Sequence, residues 1–77
     1  MIAKLVETIV QHIVSHPEDI KLNIVEGSSV IVIELQVNKE DLGKVIGREG
    51  NMAWAIRTIV TNAATRMNKK VMLQIIE

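Results

Sequence analysis

The segment Lys44-Val45-Ile46-Gly47-Arg48-Glu49-Gly50 decides how the rest of this 77-residue chain is read. Two glycines three positions apart let the backbone turn tightly, and let a ligand's backbone approach without meeting a Cβ. Gly50 opens a stretch with helical patterning, and the free N–H groups and positive dipole end of a helix start favour phosphate. Arg48 projects from the tip of such a loop toward phosphate oxygens, and Val45 and Ile46 lead into it as an aliphatic floor for bases. Taken alone, Gly-x-x-Gly also describes an ordinary turn between two helices. Its surroundings decide between the two.

Working outward, Asn38 is a natural N-cap for a short helix over Lys39–Ile46, with Glu40 and Asp41 in its first turn where carboxylates suit the dipole. Gly47 and Gly50 end it. A long helix restarts near Asn51 and runs to about Met67, with Met52, Ile56, Ile59, Val60, Ala63 and Met67 as its expected core stripe and Asn68 as its C-cap. Beyond it, Val71, Leu73 and Ile75 alternate as a strand. Upstream, Val30–Val37 is a β-branched run with Ile31, Ile33, Leu35 and Val37 on one face and Glu34 and Gln36 on the other. Ile20, Leu22 and Ile24 alternate in the same way, and Gly27-Ser28-Ser29 turns the chain between the two runs, so they pair as a hairpin. The first fifteen residues repeat apolar side chains at helical spacing (Ile2, Leu5, Val6, Ile9, Val10, Ile13, Val14) until Ser15-His16-Pro17 stops them. The result is an α+β chain of order α-β-β-α-α-β, one domain over residues 1–77, with a three-stranded sheet covered on one face by helices. Val25, Val30, Val32, Met72 and Ile76 then fall on the uncovered face.

Composition narrows the class. The chain is 48% apolar with one aromatic residue, Trp54, and no cysteine, so disulfides, a thiolate nucleophile and Cys-based zinc are excluded and a reducing compartment is expected. The longest apolar run, Met52–Ile56, is too short to span a membrane, and Lys4, Glu7, Gln11 and His12 break any signal-peptide core. Net charge is zero, but residues 1–42 hold three cations against seven acids, while residues 43–70 hold Lys44, Arg48, Arg57, Arg66, Lys69 and Lys70 against Glu49 alone. That skew suits a surface facing a polyanion.

A Val-Ile-Gly-x-x-Gly loop between a short and a long helix, flanked by strands, resembles the KH domain, a module that clamps RNA or single-stranded DNA backbone. The helix and strand preceding the β-α-loop-α-β unit make it similar to the type II KH fold. Val45-Ile46-Gly47-Arg48-Glu49-Gly50 followed by Ala55-Ile56-Arg57-Thr58-Ile59-Val60 is further similar to the KhpA family of small bacterial RNA-binding proteins, over nearly the whole chain. The resemblance implies cytoplasmic binding of single-stranded RNA, with an RNA-chaperone or post-transcriptional role and no cofactor. It also implies a homodimer or a complex with a KhpB (Jag/EloR)-type KH protein, acting in control of cell envelope and cell shape. By position, the family's loop falls on Gly47, Arg48, Glu49 and Gly50, with Lys44, Val45 and Ile46 leading in and Asn51 opening the next helix. Glu49 sets a carboxylate beside Arg48, so weak, sequence-tolerant affinity is expected.

The remaining candidates each have a bland alternative. Arg57 stands seven positions after Gly50, about 20° away around the helix, within reach of a second phosphate or simply solvated or ion-paired. Trp54 shares its side of the long helix with Thr58, Thr61 and Thr65, so exposure is expected, with stacking on a base, filling a partner's pocket or lying over aliphatic neighbours as its fates. Lys69 and Lys70 read as solvated cations at a helix end. His12 and His16 have metal-ligand spacing, but Pro17 frays that helix end and no third ligand is near in sequence, so no metal site is expected. No phosphate-binding P-loop and no nucleophile elbow is present, and an RRM is disfavoured because no strand carries an aromatic residue. An RNA-binding module is the leading reading. A protein-interaction module that keeps the fold but binds little RNA is the alternative, ahead of a DNA-binding helix-turn-helix or an enzyme.

Overall fold

A computed structural model describes residues 2–76. Its centre is β2 (Val30–Gln36), which pairs antiparallel with β1 (Lys21–Glu26) and parallel with β3 (Lys70–Ile75), giving the sheet order β1-β2-β3. Alternation along β2 sends Ile31, Ile33 and Leu35 to one face, where all three are fully buried. On that face lie α1 (Ile2–Gln11), which contributes Ile2, Val6 and Val10, and α3 (Asn51–Arg66), which contributes Ile56 and Val60. The short α2 (Leu42–Ile46) contributes Val45, and Leu73 of β3 completes the core. The expected order and the one-sided covering of the sheet are both present. On the opposite face, register places Val25, Val32 and Met72 in one row across the three strands, and Val25, Val30, Met72 and Ile76 are exposed.

Three local readings need correction. First, α1 ends at Gln11, not near Val14. Ile13 and Val14 both send their N–H to the Val10 carbonyl, and the chain is then drawn away because Ser15 and His16 donate their N–H groups to the Asp41 carboxylate, at 3.0 and 2.9 Å. Second, the buried stripe of α3 is Ala53, Ile56, Val60 and Ala64, whereas Met52 and Ile59 are exposed. Small side chains at 53 and 64 let the helix lie close to its neighbours, and the bulkier residues are left on the flank. Third, Lys69 is not simply solvated: its ammonium lies 2.6 Å from the Glu26 carboxylate, joining the end of α3 to the end of β1. The C-cap of α3 is Met67, one position before the expected Asn68. Asn68 takes positive φ, and the N–H groups of Asn68 and Lys69 reach back to Thr65 and Ala64 in a Schellman arrangement.

Asp41 is the one buried charged residue among the described residues. Its carboxylate does not cap α2. The Ser15 N–H, supported by that of His16 and by Lys44 at 3.4 Å, outweighs burial and holds Asp41 below the usual carboxylate range. Its stabilising contribution is therefore full above about pH 4 and is lost as pH falls through and below that value. Replacing Asp41 with Ala leaves both N–H groups without an acceptor and should lower the melting temperature by about 10 °C at neutral pH. Thermal melts of Asp41→Asn across the acid range should show a weaker loss of stability on acidification than wild type; identical acid profiles would remove this role.

Candidate nucleic-acid interface

The loop between α2 and α3 is a single 3-10 turn, Arg48–Gly50, bracketed by its two glycines, which serve different purposes. Gly47 has φ 77° and ψ 175°, a conformation open only to glycine, and a Cβ there would sit 2.6 Å from Met52 Cβ and 2.8 Å from its backbone nitrogen. The chain thus leaves α2 by packing directly on the first turn of α3. Gly50 adopts the left-handed conformation (φ 78°, ψ 9°) with open space where a Cβ would be. Glu49 between them is also left-handed, at φ 56° and ψ 25°, an uncommon state for a residue with a side chain.

This backbone path determines which donors are spent. Gly47 donates to the Gly43 carbonyl, Gly50 to that of Gly47, and Asn51 to that of Arg48. Gly50, at the N-cap of α3, supplies no capping side chain. A 16-residue helix therefore begins with no side-chain cap over the positive end of its dipole. The turn has the chemistry of an anion cradle.

Around it, Arg48, Glu49 and Asn51 are exposed and Ile46 is half-buried. Two expected contributors sit differently. Val45 is wholly enclosed in the core, so it supports the loop from beneath and leaves Ile46 as the accessible aliphatic surface. Lys44 is turned back toward the segment after α1, donating to Ser15 Oγ and lying 3.4 Å from Asp41. Arg57 is exposed and its Nε donates to the Leu73 carbonyl at 3.3 Å, which fixes it on the β3 flank of α3. Trp54 is 68% exposed, as its threonine-lined face requires. It sits about 60° around the helix from Arg57, on the same side, and about 200° from Met52. An open concavity lined by Ser29, Val30, Thr65, Asn68, Lys69 and Lys70 lies at the far end of α3, about 24 Å of helix away from the loop.

The histidines do not combine. His12 bonds the Thr8 carbonyl, whereas His16 faces Glu40 and Glu18. His16, Glu18 and Asp19 place ligand-type atoms within 4.8 Å of one another, but His16 and Asp19 are already engaged by Glu40 and Asn38, so the group is a set of polar cross-links. The residue that sequence reasoning missed is Asp41. Its acid was explained by the adjacent turn, and nothing in the spacing signals that it reaches back 25 residues.

The family model described as "KhpA/KhpB, KH domain" matches residues 3–75 of the chain. The chain is 51% identical over 73 residues to the "RNA-binding protein KhpA" of Clostridium perfringens, covering 95% of this chain and 97% of that protein. It is 40% identical over 74 residues to the protein of the same description from Borreliella burgdorferi, covering 96% and 90%. The corresponding Listeria monocytogenes protein is 42% identical over 74 residues, covering 96% and 97%.

The two glycines should respond differently to substitution. Gly50→Ala faces only the left-handed penalty, about 1 kcal/mol, whereas Gly47→Ala adds the collision with Met52 and should cost about 3 kcal/mol or more. Urea unfolding of the two variants measures the difference; equal costs would mean that the Met52 approach does not constrain Gly47.

Proposed function

The chain belongs to the KhpA/KhpB family of KH domains, and from that premise we propose that it binds single-stranded RNA by seating the phosphate backbone on the Gly47–Gly50 turn. It has the type II KH fold and is not an enzyme. The observation that carries the reading is the glycine-bracketed turn with exposed Arg48 at its tip, set against the start of α3, which has no side-chain cap. In this reading the positive start of α3 faces the phosphate oxygens, Arg48 adds charge, and Asn51 adds a polar contact at the helix start. Ile46 supplies the apolar surface for a base. Arg57 and Trp54 extend the track along the β3 flank, the first toward a further phosphate and the second as a stacking platform. Lys44 contributes field more than contact, because Asp41 and Ser15 hold it back.

An RNA ligand goes with a cytoplasmic site of action; among the described residues no helix is long and apolar enough to cross a membrane. The chaperone or post-transcriptional role, the KhpB-type partner and the link to cell envelope and shape belong to the same proposal. Exposed apolar side chains support association with a second copy or such a partner: Met52 and Ile59 on one flank of α3, and Val25 and Met72 on the open sheet face. The same observation favours the second reading, an interaction module with little RNA binding of its own.

Arg48→Asp combined with Glu49→Asp should abolish binding to a short single-stranded RNA while leaving the circular dichroism spectrum unchanged. Both side chains are exposed, and aspartate tolerates the left-handed backbone at 49. For wild type, log K should fall against log salt with a slope of about −1.5 to −3, from two to four phosphate contacts at roughly −0.7 each. Undiminished binding by the double variant would end the clamp reading.

Trp54 fluorescence separates the two readings. Quenching on titration with single-stranded RNA places a base on the indole. A blue shift that tracks protein concentration without RNA assigns the indole to a protein contact, and a signal unmoved by either would strip Trp54 of both roles.

A further inference from the structure

We propose that His16 is a positioning residue for the Gly47–Gly50 turn: in its protonated form it latches the segment after α1 to the turn that leads into α2, and this latch strengthens RNA binding. The inference rests on the RNA-binding reading above.

The two segments, residues 15–19 and 38–44, are far apart in sequence and are joined by polar contacts. Asp41 accepts from Ser15 and His16, Asn38 donates to Asp19 at 2.8 Å, and Lys44 reaches Ser15 and Asp41. The His16 ring lies between two carboxylates, with Nε2 3.0 Å from Glu40 and Nδ1 3.6 Å from Glu18. A neutral imidazole carries one N–H, so it serves one carboxylate and turns a lone pair toward the other. The imidazolium serves both. The Glu40 hydrogen bond, against a smaller effect of burial, together with the charges of Asp41, Glu40 and Glu18, holds His16 above its ordinary value. The cation facing this acidic set from α2 is Lys44, and Asp19 faces it from the Pro17–Asp19 turn.

The link to the loop is the shortness of α2. Five residues long, it buries a single side chain, Val45, and runs from the Asp41 cap directly to Gly47. With so little apolar anchoring, the position of its first turn sets where Gly47 meets Met52. The latch is closed below the raised His16 value and opens as pH rises through it.

The test is the affinity of the full chain for a short fluorescent oligouridylate at constant ionic strength, between about pH 5.5 and 8.5. Wild type should bind about three- to five-fold more weakly at the alkaline end. His16→Gln should bind at that weaker level throughout, with a flat profile, and His12→Gln should behave as wild type. Glu40→Ala separates the latch from net charge, because it removes the acceptor of His16 and adds one positive unit as protonation does. Charge alone demands tighter binding at every pH, whereas an opened latch gives weak, flat binding. The Gly47 amide resonance should titrate with His16 in wild type and lose that titration in His16→Gln. Binding with no pH dependence, a profile retained by His16→Gln, or tighter binding by Glu40→Ala would each overturn the latch alone. No RNA binding at any pH would overturn the RNA reading and the latch with it.

Discussion

A parallel pair of strands cannot be closed by a hairpin, and the β2–β3 pair is parallel. The chain must leave one end of β2, cross the sheet face and return to start β3 alongside it. Every residue of the proposed RNA site lies in that crossover. Residues 37–69 contain both α2 and α3 and the turn between them, and the core face of the sheet holds them through Val45, Ile56 and Val60. The β1–β2 hairpin and α1 complete the core from the other side. Without Ile31, Ile33 and Leu35 buried beneath it, the crossover would have no fixed surface from which to present a loop.

In the proposed site, recognition would rest on backbone more than on side-chain charge. Arg48 and Glu49 carry opposite charges at the tip, so the side chains give the turn little net potential. What remains is the start of α3, left without a side-chain cap behind an unusual backbone: glycine-only geometry at 47, then left-handed residues at 49 and 50. A helix start contributes the equivalent of about half a positive charge, and it is confined to the first turn. On the proposed reading this yields short reach, sensitivity to salt and little discrimination among bases, since phosphates carry no sequence information.

How much of this was legible in the sequence depends on whether a residue's role is local. The two glycines, the Asn38 cap on Glu40 N–H, the alternation of β2 and the exposure of Trp54 all follow from neighbours within one turn or one strand, and each is found. The phase of α3 is not local. Apolar bulk pointed to Met52 and Ile59, while packing selected Ala53 and Ala64, because the depth of the groove rewards small residues that periodicity ranks low. Val45 was legible as apolar and as adjacent to the loop, but its direction depends on how α2 sits over the core. Lys69 and Asp41 were furthest from view, since each reaches a partner on a different element, Glu26 in one case and Ser15 and His16 in the other.

The distribution of exposed side chains around α3 bears on whether RNA and a protein partner compete. Arg57 and Trp54 share the β3 flank, and Met52 and Ile59 lie about 140–200° around the helix from Trp54. A base stacked on the indole therefore leaves the Met52–Ile59 flank uncovered, and a partner seated on that flank leaves the indole free. Met52 is nonetheless the residue against which Gly47 packs, so pressure on its side chain is felt where the loop begins. On the proposed reading the two events would be separate in surface and joined through one methionine. A core this small, which rarely supplies more than about 3–5 kcal/mol, gains from covering that flank with a second chain. Association would then firm the Gly47–Met52 contact that shapes the phosphate cradle, so partner binding and RNA binding should reinforce each other instead of excluding each other.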